Sequence, residues 1–175
     1  MDVAKQVSSR QALYASWRRE AVVARVEHPT QRQRAHTLGY KAKQGFAVAR
    51  VRVKKGVSKR PKIRHGRRPK RTGMFYPTDK SKQQMAEEKA ARKFRNMEVM
   101  NSYWVGDDGV VTWYEIILAD RAHPAVLRDQ ERAWITKQRG RAFRGITSAG
   151  RKSRGLHKRG TGSEHTRPSR RQNRL

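Results

Sequence analysis

The segment "VMNSYWVGDDGVVTWYEIILAD", residues 99–120, contains two runs of aromatic and β-branched residues on either side of "GDDG". Such runs favour β-strands, and an Asp-Gly step between them is a strong signal for a tight turn. The second run, residues 110–119, is apolar enough to form a central strand. We therefore predict a β-hairpin at the centre of the fold, with its turn at Asp108 and Gly109.

A further strand is predicted from "GFAVARVRVKKG", residues 45–56. Alternate residues of a strand project to opposite faces, and one side of this strand is wholly apolar. The apolar side consists of Ala47, Ala49, Val51 and Val53. The other side starts with Phe46 and Val48 and then continues as a row of cations. We expect the apolar side to pack against a helix at 78–97 or against the hairpin.

The helix at 78–97 is predicted from its capping signals and its periodicity. Ser81 and Gln84 have capping-box spacing, and Thr78 is an alternative cap. One stripe of the helix is apolar and consists of Ala86, Ala90, Phe94 and Met97. The opposite, outer side is expected to carry an ion pair between Glu88 and Arg92.

Two weaker helices complete the prediction, one over residues 8–23 and one that starts at Pro124. At least three strands, two of them in one hairpin, are then backed by helices. This combination predicts the α+β fold class.

The charge of the chain is extreme. Lysine and arginine number 43 against 14 acidic residues, which gives a formal net charge of +29 and a pI near 11.6. A free globule with this excess would repel itself, so the composition indicates a polyanionic partner. The chain lacks cysteine, an apolar run of membrane-spanning length and a signal-peptide pattern. We expect no disulfide, no contact with a membrane and a cytoplasmic location.

The charge is also unevenly distributed. Residues 28–78 hold 16 lysines and arginines and no acid, and residues 132–175 hold 14 with one acid, Glu164. Residues 72–131 hold 10 acids and 8 bases, which is the ordinary balance of a folded domain. The flanking segments resemble nucleic-acid-binding extensions.

This distribution predicts four regions. They are an N-terminal helix and first strand (1–53), a basic internal arm (54–77), a core of helix, hairpin and following helix (78–139), and a basic C-terminal extension (140–175). Residues 54–73 and the chain from 140 onward contain too little apolar surface to offset their ordering entropy. We expect both to be disordered until a partner neutralises them.

No convincing catalytic or metal site can be assembled from the sequence. Asp107 and Asp108 suit the hairpin turn, and Glu115 is expected to pair with a cation rather than to catalyse a reaction. The six histidines are scattered, so neither a metal nor a cofactor is expected. The segment "GITSAGRKS", residues 145–153, resembles a phosphate-binding loop, but Arg151 stands where lysine is required and no apolar strand precedes it.

Aromatic residues and glycines refine the expected partner. The hairpin aromatics are expected to pack in the core or on the sheet, with base stacking by one or two of them as the alternative. Tyr40 and Trp134 lie in basic segments and are better candidates for stacking on bases. Glycines recur every five residues from 140 to 160, which suits a tail threaded through folded RNA.

Four blocks of the chain are distinctive in length and order. They are "LGYKAKQGFAVARVRVKKG" (38–56), "NSYWVGDDGVVTWYEIIL" (101–118), "WITK" (134–137) and "RGITSAGRKSRGL" (144–156). Together they resemble the e-type family of large-subunit ribosomal protein number fifteen of archaea and eukaryotes, which is unrelated to the bacterial protein of that number. The segment before Trp17 is shorter than is usual in that family, and residues 158–175 match no block. The short C-terminus resembles archaeal members.

The resemblance implies an α+β fold with a small mixed β-sheet and long basic extensions that run among rRNA helices. It also implies a structural, non-enzymatic constituent of the large ribosomal subunit. The implied partners are large-subunit (23S-type) rRNA and neighbouring large-subunit proteins, and no homo-oligomer is expected.

Candidate RNA-binding residues come from the matching blocks, the internal arm and the two aromatic residues in basic segments. The blocks imply Lys41, Lys43, Arg50, Arg52, Lys54, Lys55, Arg144, Arg151, Lys152 and Arg154, and Lys137 is a further candidate. The arm adds Lys59, Arg60, Lys62, Arg64, Arg67, Arg68, Lys70 and Arg71, and the aromatic residues add Tyr40 and Trp134. The four cations at 50, 52, 54 and 55 are expected to face rRNA phosphates.

Two other functions fit parts of the sequence. A DNA-compacting, chromatin-type protein would be equally basic, but such proteins usually carry helical dimerisation patterns or Lys-Ala-Pro repeats, which this sequence lacks. An RNA-processing enzyme would need a convergent set of catalytic residues. The sequence therefore favours a structural rRNA-binding protein, with the DNA-compacting protein as the alternative.

Overall fold

The computed structural model describes most of the chain, namely residues 3–56, 60, 61, 64–66, 68–75 and 77–157, although not the side chains of residues 3–9 and 71. Its centre is one four-stranded β-sheet with the strand order β1-β2-β4-β3. The strands are β1 (Val23–Val26), β2 (Phe46–Lys54), β3 (Met97–Asp107) and β4 (Val111–Asp120). The α+β class and the hairpin of β3 and β4 are confirmed.

All three strand pairings in the sheet are antiparallel, so the mixed sheet implied by the family resemblance is wrong. For β3 and β4, the antiparallel pairing follows from the short connection between them, because a tight hairpin can only join antiparallel neighbours. The fourth strand, β1, pairs with β2 from Val23 opposite Val51 to Val26 opposite Val48.

The first helix, α1 (Val3–Arg19), ends earlier than predicted because residues 23–26 join the sheet as β1. It packs on the sheet through aromatic contacts. The Tyr14 ring stacks on Trp113 of β4 at 5.0 Å between centroids, and Trp17 meets Trp113 edge-on at 5.7 Å. Gly106 of β3 lies directly beneath the Tyr14 ring, where a side chain would collide with it.

The two faces of the sheet are covered by different helices. The first face, which carries Val48, Trp113 and Ile117, packs against α1 and against α2 (Arg32–Thr37) through Ala35. The second face, which carries the predicted apolar side of β2, packs against α3 (Lys82–Lys93). The prediction that this side contacts the 78–97 helix is therefore confirmed.

Helix α3 begins at the predicted cap but ends at Lys93, so Phe94 and Met97 of the predicted stripe lie beyond it, and Met97 is the first residue of β3. Ser81 is the N-cap, and its side-chain oxygen accepts a hydrogen bond from the backbone N–H of Gln84 at 3.2 Å. Ala86 and Ala90 are fully buried against the sheet. The expected outer position of Glu88 is wrong, because this side chain is buried and pairs with Lys80 at 2.8 Å as well as with Arg92 at 3.5 Å.

The chain after β4 forms short elements instead of one long helix. Helix α4 (Pro124–Leu127) is a single turn, and a 3₁₀ turn follows at Ala133–Ile135. Two further helices, α5 (Arg141–Arg144) and α6 (Ser148–Ser153), pack on α3 and β3. The expected disorder from residue 140 is therefore wrong as far as residue 157, because Ala142, Thr147 and Ala149 are buried.

The described residues of the internal arm lie on the surface. A 3₁₀ turn at Pro69–Arg71 contributes its only described helical element, and the backbone N–H of Arg60 donates to the carbonyl of Met74 at 3.0 Å. Across the described part of the whole chain, no helix is long and apolar enough to cross a membrane.

Candidate nucleic-acid interface

The cationic side of β2 is partly committed to the fold itself. Both Glu20 carboxylate oxygens accept hydrogen bonds at 2.8 Å from the guanidinium of Arg50, which also lies 4.1 Å above the centre of the Trp17 ring. The Arg50 side chain is only 12% exposed. This arginine therefore anchors the end of α1 to the sheet and offers little surface to a partner.

The next cations along β2 are held to different degrees. The guanidinium of Arg52 donates to the carbonyl of Arg18, and Lys55 pairs with Asp107 of β3. Lys54 lies between them on the exposed end of the strand. Glu20 and Asp107 were missed as partners because they are distant in sequence from the basic row that they contact.

Among the aromatic stacking candidates, Tyr40 lacks the exposed ring that stacking requires. It is 7% exposed and belongs to the core beneath the first face of the sheet. Its loop is held by a hydrogen bond from its backbone N–H to the carbonyl of Ala35 at 2.9 Å. The structure therefore contradicts a base-stacking role for Tyr40, since burial leaves no ring face for a base.

The two lysines after Tyr40 remain at the surface. Lys41 lies 3.8 Å from a carboxylate oxygen of Asp129, and Lys43 is exposed. Burial raises the pKa of Asp129, but Arg132 and then Lys41 outweigh it, so the pKa lies below its ordinary range. Asp129 is therefore ionised over the physiological range and offsets part of the positive charge in this loop.

The internal arm contributes exposed cations. Arg60, Arg64, Arg68 and Lys70 are all exposed in the structure. Lys59, Lys62 and Arg67 lie outside the described residues, as does the side chain of Arg71. The described cations occupy a stretch of sequence that contains no acid between Glu27 and Asp79.

Trp134 keeps an exposed ring next to a cation. Its side chain is 44% exposed, and the guanidinium of Arg141 lies 4.5 Å from the ring centre. Phe143 is 50% exposed, with the guanidinium of Arg92 at 6.0 Å. Lys137 is exposed nearby in the sequence. Arg141 and Phe143 were missed from sequence, although both lie in the basic segment with aromatic residues that pointed to Trp134.

The other hairpin aromatics divide as expected between core and surface. Trp113 and Tyr103 are buried, with exposures of 1% and 3%, and Tyr114 is half-buried. Trp104 is 51% exposed on β3. Trp104 is therefore the hairpin ring that has a surface available for a contact.

Two carboxylates tie the C-terminal basic segment to the core. Glu98 of β3 accepts hydrogen bonds from the backbone N–H groups of Gly140 at 2.6 Å and Arg141 at 3.2 Å. Glu87 of α3 is fully buried and accepts hydrogen bonds at 2.5 Å from the hydroxyls of Ser102 and Thr147. Burial raises the pKa of Glu87, against the hydrogen bonds and the nearby Arg141, which lower it.

Helix α6 presents two cations and turns a third inward. Arg151 and Lys152 are exposed in its last turn. Arg154 instead donates to the carbonyl of Gly145 at 3.0 Å. Arg144 is half-buried, and its guanidinium donates to the side-chain oxygen of Gln138 at 3.1 Å.

The sequence that resembles a phosphate-binding loop has a different role. Thr147 is the N-cap of α6 and accepts a hydrogen bond from the N–H of Gly150 at 3.1 Å. A Cβ on Gly150 would lie 2.6 Å from the Cα of Gly145, so the two glycines pack backbone against backbone. This segment therefore caps helix α6 and packs it against the backbone of Gly145.

Glu115 has a structural environment. It is fully buried and accepts hydrogen bonds from the N–H of Thr30 at 3.0 Å, from the Thr30 hydroxyl at 2.5 Å and from the Tyr103 hydroxyl. Burial and this carboxylate together raise the pKa of Tyr103. The predicted pairing of Glu115 with a cation is wrong: Arg50 lies opposite it in the sheet but binds Glu20.

No group of three or more acidic or histidine side chains among the described residues could hold a metal ion.

A small α+β core that carries exposed cations in acid-poor segments defines a strongly basic protein of the polyanion-binding class. Comparison with known proteins specifies the family. A family model described as Ribosomal L15 matches residues 2–173. The chain belongs to this family, in its archaeal and eukaryotic e-type form. The match includes most of residues 158–175, for which no block was recognised from the sequence.

Three archaeal relatives named "Large ribosomal subunit protein eL15" are similar over most of their length. The protein of Methanocorpusculum labreanum is 53% identical over 155 residues, which cover 88% of this chain and 80% of the relative. That of Methanospirillum hungatei is 52% identical over 160 residues, or 90% and 82% of the two chains. That of Picrophilus torridus is 52% identical over 167 residues, or 94% and 86%.

Family membership establishes the general role. Members are structural, non-enzymatic components of the large ribosomal subunit, which lies in the cytoplasm of archaea. Their partners are accordingly rRNA and other ribosomal proteins.

Proposed function

We propose that this protein stabilises folded large-subunit rRNA by binding its phosphates through three basic surfaces around an α+β core. These surfaces are the loop at 41–43, the internal arm at 54–77 and the C-terminal region from residue 137 onward. The proposal is carried by the separation of charge: exposed cations are concentrated in acid-poor segments, whereas the buried core acids Glu87, Glu98 and Glu115 already have hydrogen-bond partners.

The candidate residues fall into two groups. The direct phosphate ligands that we propose lie at the surface or in the acid-free arm, and two of them, Lys41 and Lys55, also pair with a carboxylate of the protein. They are Lys41, Lys43, Lys54, Lys55, Lys59, Arg60, Lys62, Arg64, Arg67, Arg68, Lys70, Arg71, Lys137, Arg151 and Lys152. The second group supports the interface from within the fold, because its guanidinium groups already bind protein atoms. It consists of Arg50, Arg52, Arg144 and Arg154.

Trp134 adds a different type of contact. A half-exposed indole beside a guanidinium can stack on an unpaired base, and stacking tolerates any base because every base has a π-face. Phe143 and Arg92 offer a similar, looser arrangement. We propose that Trp134 and Phe143 stack on unpaired rRNA bases, while the surrounding cations bind the backbone.

The strength of binding follows from counterion release. Each phosphate that the protein neutralises contributes roughly −0.7 to −0.9 to the slope of log affinity against log salt. Loss of one cation therefore changes affinity little at physiological salt, whereas loss of a whole arm changes it greatly. Arginine adds bidentate geometry to the charge, which suits fixed contacts in a folded RNA.

The decisive experiment is sedimentation of the tagged full chain from native lysate at about 0.5 M salt, where loosely held basic proteins dissociate. We expect co-migration with the large subunit that RNase abolishes and DNase leaves unchanged. Migration that depends on DNA would instead support the DNA-compacting alternative. Release from every particle at this salt would contradict binding through arms threaded into rRNA.

A further inference from the structure

A cavity of about 560 Å³ opens at the end of the sheet, where β2 ends and the β3–β4 hairpin turns. Its lining combines aliphatic and cationic side chains. The lining residues are Arg18, Val22, Arg52, Val53, Lys54, Lys89, Val110 and Val111, and none of them is acidic. The internal arm starts at the rim, since the N–H of Lys55 donates to the carbonyl of Val110 at 2.8 Å.

The cations of the cavity are oriented mainly by backbone carbonyls. The ammonium group of Lys89 donates to the carbonyl of Arg52 at 3.3 Å, and the guanidinium of Arg52 donates to the carbonyl of Arg18. Carbonyl groups fix these side chains but leave their charge unneutralised. Arg18 differs, because Asp108 binds it at 2.7 Å.

Lys89 is partly buried and lies close to other cations. Burial, followed by the neighbouring Arg52 and Arg92, lowers the pKa of Lys89. An anion in the cavity would relieve this repulsion and favour the charged ammonium group. Because its charged lining residues are all cations, the cavity has the electrostatic character of an anion site.

The valines give the cavity a second character. Val53 and Val111 are buried and close its inner wall, whereas Val22 and Val110 are 42% and 67% exposed. Their methyl groups offer apolar contact area to a flat ligand. This site combines an apolar wall with charged residues that are all cations. Such a site fits a ligand in which an apolar ring is joined to a phosphate.

We propose that this cavity binds one unpaired nucleotide of the rRNA, with its base against the valines and its phosphate against Lys54 and Lys89. The inference rests on the proposed function and specifies one of its contacts. The cavity volume is in the range of sites that enclose a single small ligand. The basic arm that leaves its rim would bind the phosphates that follow in the same strand.

The test uses the full chain with labelled valine methyl groups and follows their NMR shifts. AMP, UMP, ribose 5-phosphate and inorganic phosphate are titrated separately. We expect both mononucleotides to shift Val110 and Val111 saturably and to bind about tenfold more tightly than ribose 5-phosphate. Equal affinity for all four probes, with no shift of the valine methyl signals, would overturn the inference and leave a site for phosphate only.

Matched variants separate the cavity from general basicity. Lys89→Gln and Lys93→Gln each remove one charge from α3, and each lysine donates to a strand carbonyl, but Lys93 lies outside the cavity. We expect Lys89→Gln to weaken mononucleotide binding several-fold and Lys93→Gln to leave it unchanged. Equal weakening by both variants would show binding to diffuse charge and would contradict a defined cavity.

Val110→Ser tests the apolar wall without disturbing the core, because this side chain is exposed and the hydrogen bonds of residue 110 use its backbone atoms. We expect it to weaken AMP binding and to leave phosphate binding unchanged. An acidic peptide that displaces AMP and binds more tightly would overturn the identity of the ligand.

Binding of the unmodified full chain to large-subunit rRNA is measured in parallel. If this binding persists while AMP fails to shift the valines, the cavity inference is wrong and the proposed function stands. If the chain does not bind rRNA, both the cavity inference and the proposed function are wrong.

Discussion

Glu115 is a carboxylate that three hydrogen-bond donors hold inside the core. The N–H and hydroxyl of Thr30 and the hydroxyl of Tyr103 all point to it. Such a group is expensive to remove, because each donor is left unsatisfied in a buried site. Its function is therefore to connect the loop before α2 with the two strands of the hairpin.

Replacement of Glu115 by alanine should destabilise the fold by about 2–3 kcal/mol through these unsatisfied donors. Urea unfolding of the purified chain measures the change. Glu131→Ala is the matched control, since that side chain is 75% exposed, and it should change stability by less than about 0.5 kcal/mol. A Glu115→Ala protein as stable as the control would contradict the structural role.

Glu87 makes stability depend on pH in a defined direction. Its folded-state pKa is raised above the ordinary value of 4.5, so the native state holds the proton more tightly than the unfolded state. The stabilisation is complete below pH 4.5 and is lost as pH rises through the folded-state pKa.

The Glu87→Gln variant lacks this titration. We expect the stability of the original chain relative to Glu87→Gln to fall as pH increases from 4.5 towards neutrality. Denaturant unfolding of both proteins over this pH range gives the difference directly. A constant difference across the range would mean that the pKa of Glu87 is the same in both states.

Trp134 is the residue at which the proposed base stacking can be tested. Trp134→Ala should weaken binding to large-subunit rRNA by about 1–3 kcal/mol, the typical contribution of one stacked base. Trp104→Ala is the control, because Trp104 is similarly exposed but lies in the hairpin, outside the basic segments. Filter binding at fixed salt compares the two, and equal losses would contradict a specific role for Trp134.

At the scale of elements, α6 is docked by the close approach of two glycines. Gly150 lies on the backbone of Gly145, and Thr147 caps the helix while binding Glu87. The spacing of glycines every five residues thus serves protein packing at these two positions. The exposed Arg151 and Lys152 depend on this docking for their position.

A methyl group on Gly150 should therefore dislodge α6. Gly150→Ala places a Cβ 2.6 Å from the Gly145 Cα, and overpacking of this kind costs about 1–3 kcal/mol. Hydrogen exchange should become faster at the N–H of Arg151, which donates to the Thr147 carbonyl. Gly109→Ala, where a Cβ meets no atom within 4 Å, should leave this exchange unchanged.

At the scale of the whole molecule, the number of phosphates bound by the internal arm sets the salt dependence of rRNA binding. Replacing Arg60, Arg64, Arg68 and Lys70 by glutamine should make the slope of log affinity against log salt shallower by about 3, because each cation contributes about 0.7–0.9. The arm keeps its length, so the core connectivity is unchanged.

A matched quadruple variant controls for total charge. Arg10, Arg19, Arg25 and Arg128 are also exposed but lie outside the internal arm. Their replacement by glutamine should change the slope by less than about 1. Similar slopes for the two variants would show that the charge acts diffusely, and the arm would lose its proposed role as an anchor.

The sequence alone determined the α+β class, the hairpin, β2, the Ser81 cap and the family. These features depend on periodicity, turn chemistry and long blocks of similarity, which are local in the chain. The charge separation is equally local, so the distribution of lysine, arginine and acidic residues along the chain was enough to infer a polyanionic partner.

The tertiary structure alone decided which polar groups meet. Arg50 and Glu20 are 30 residues apart, Thr147 and Glu87 are 60 apart, and Thr30 and Glu115 are 85 apart. No local pattern specifies such pairs, because they form only when β1 joins β2 and when residues 140–157 dock on α3. The same docking gives order to a segment whose composition predicted disorder, since neighbouring elements supply the buried surface that it lacks by itself.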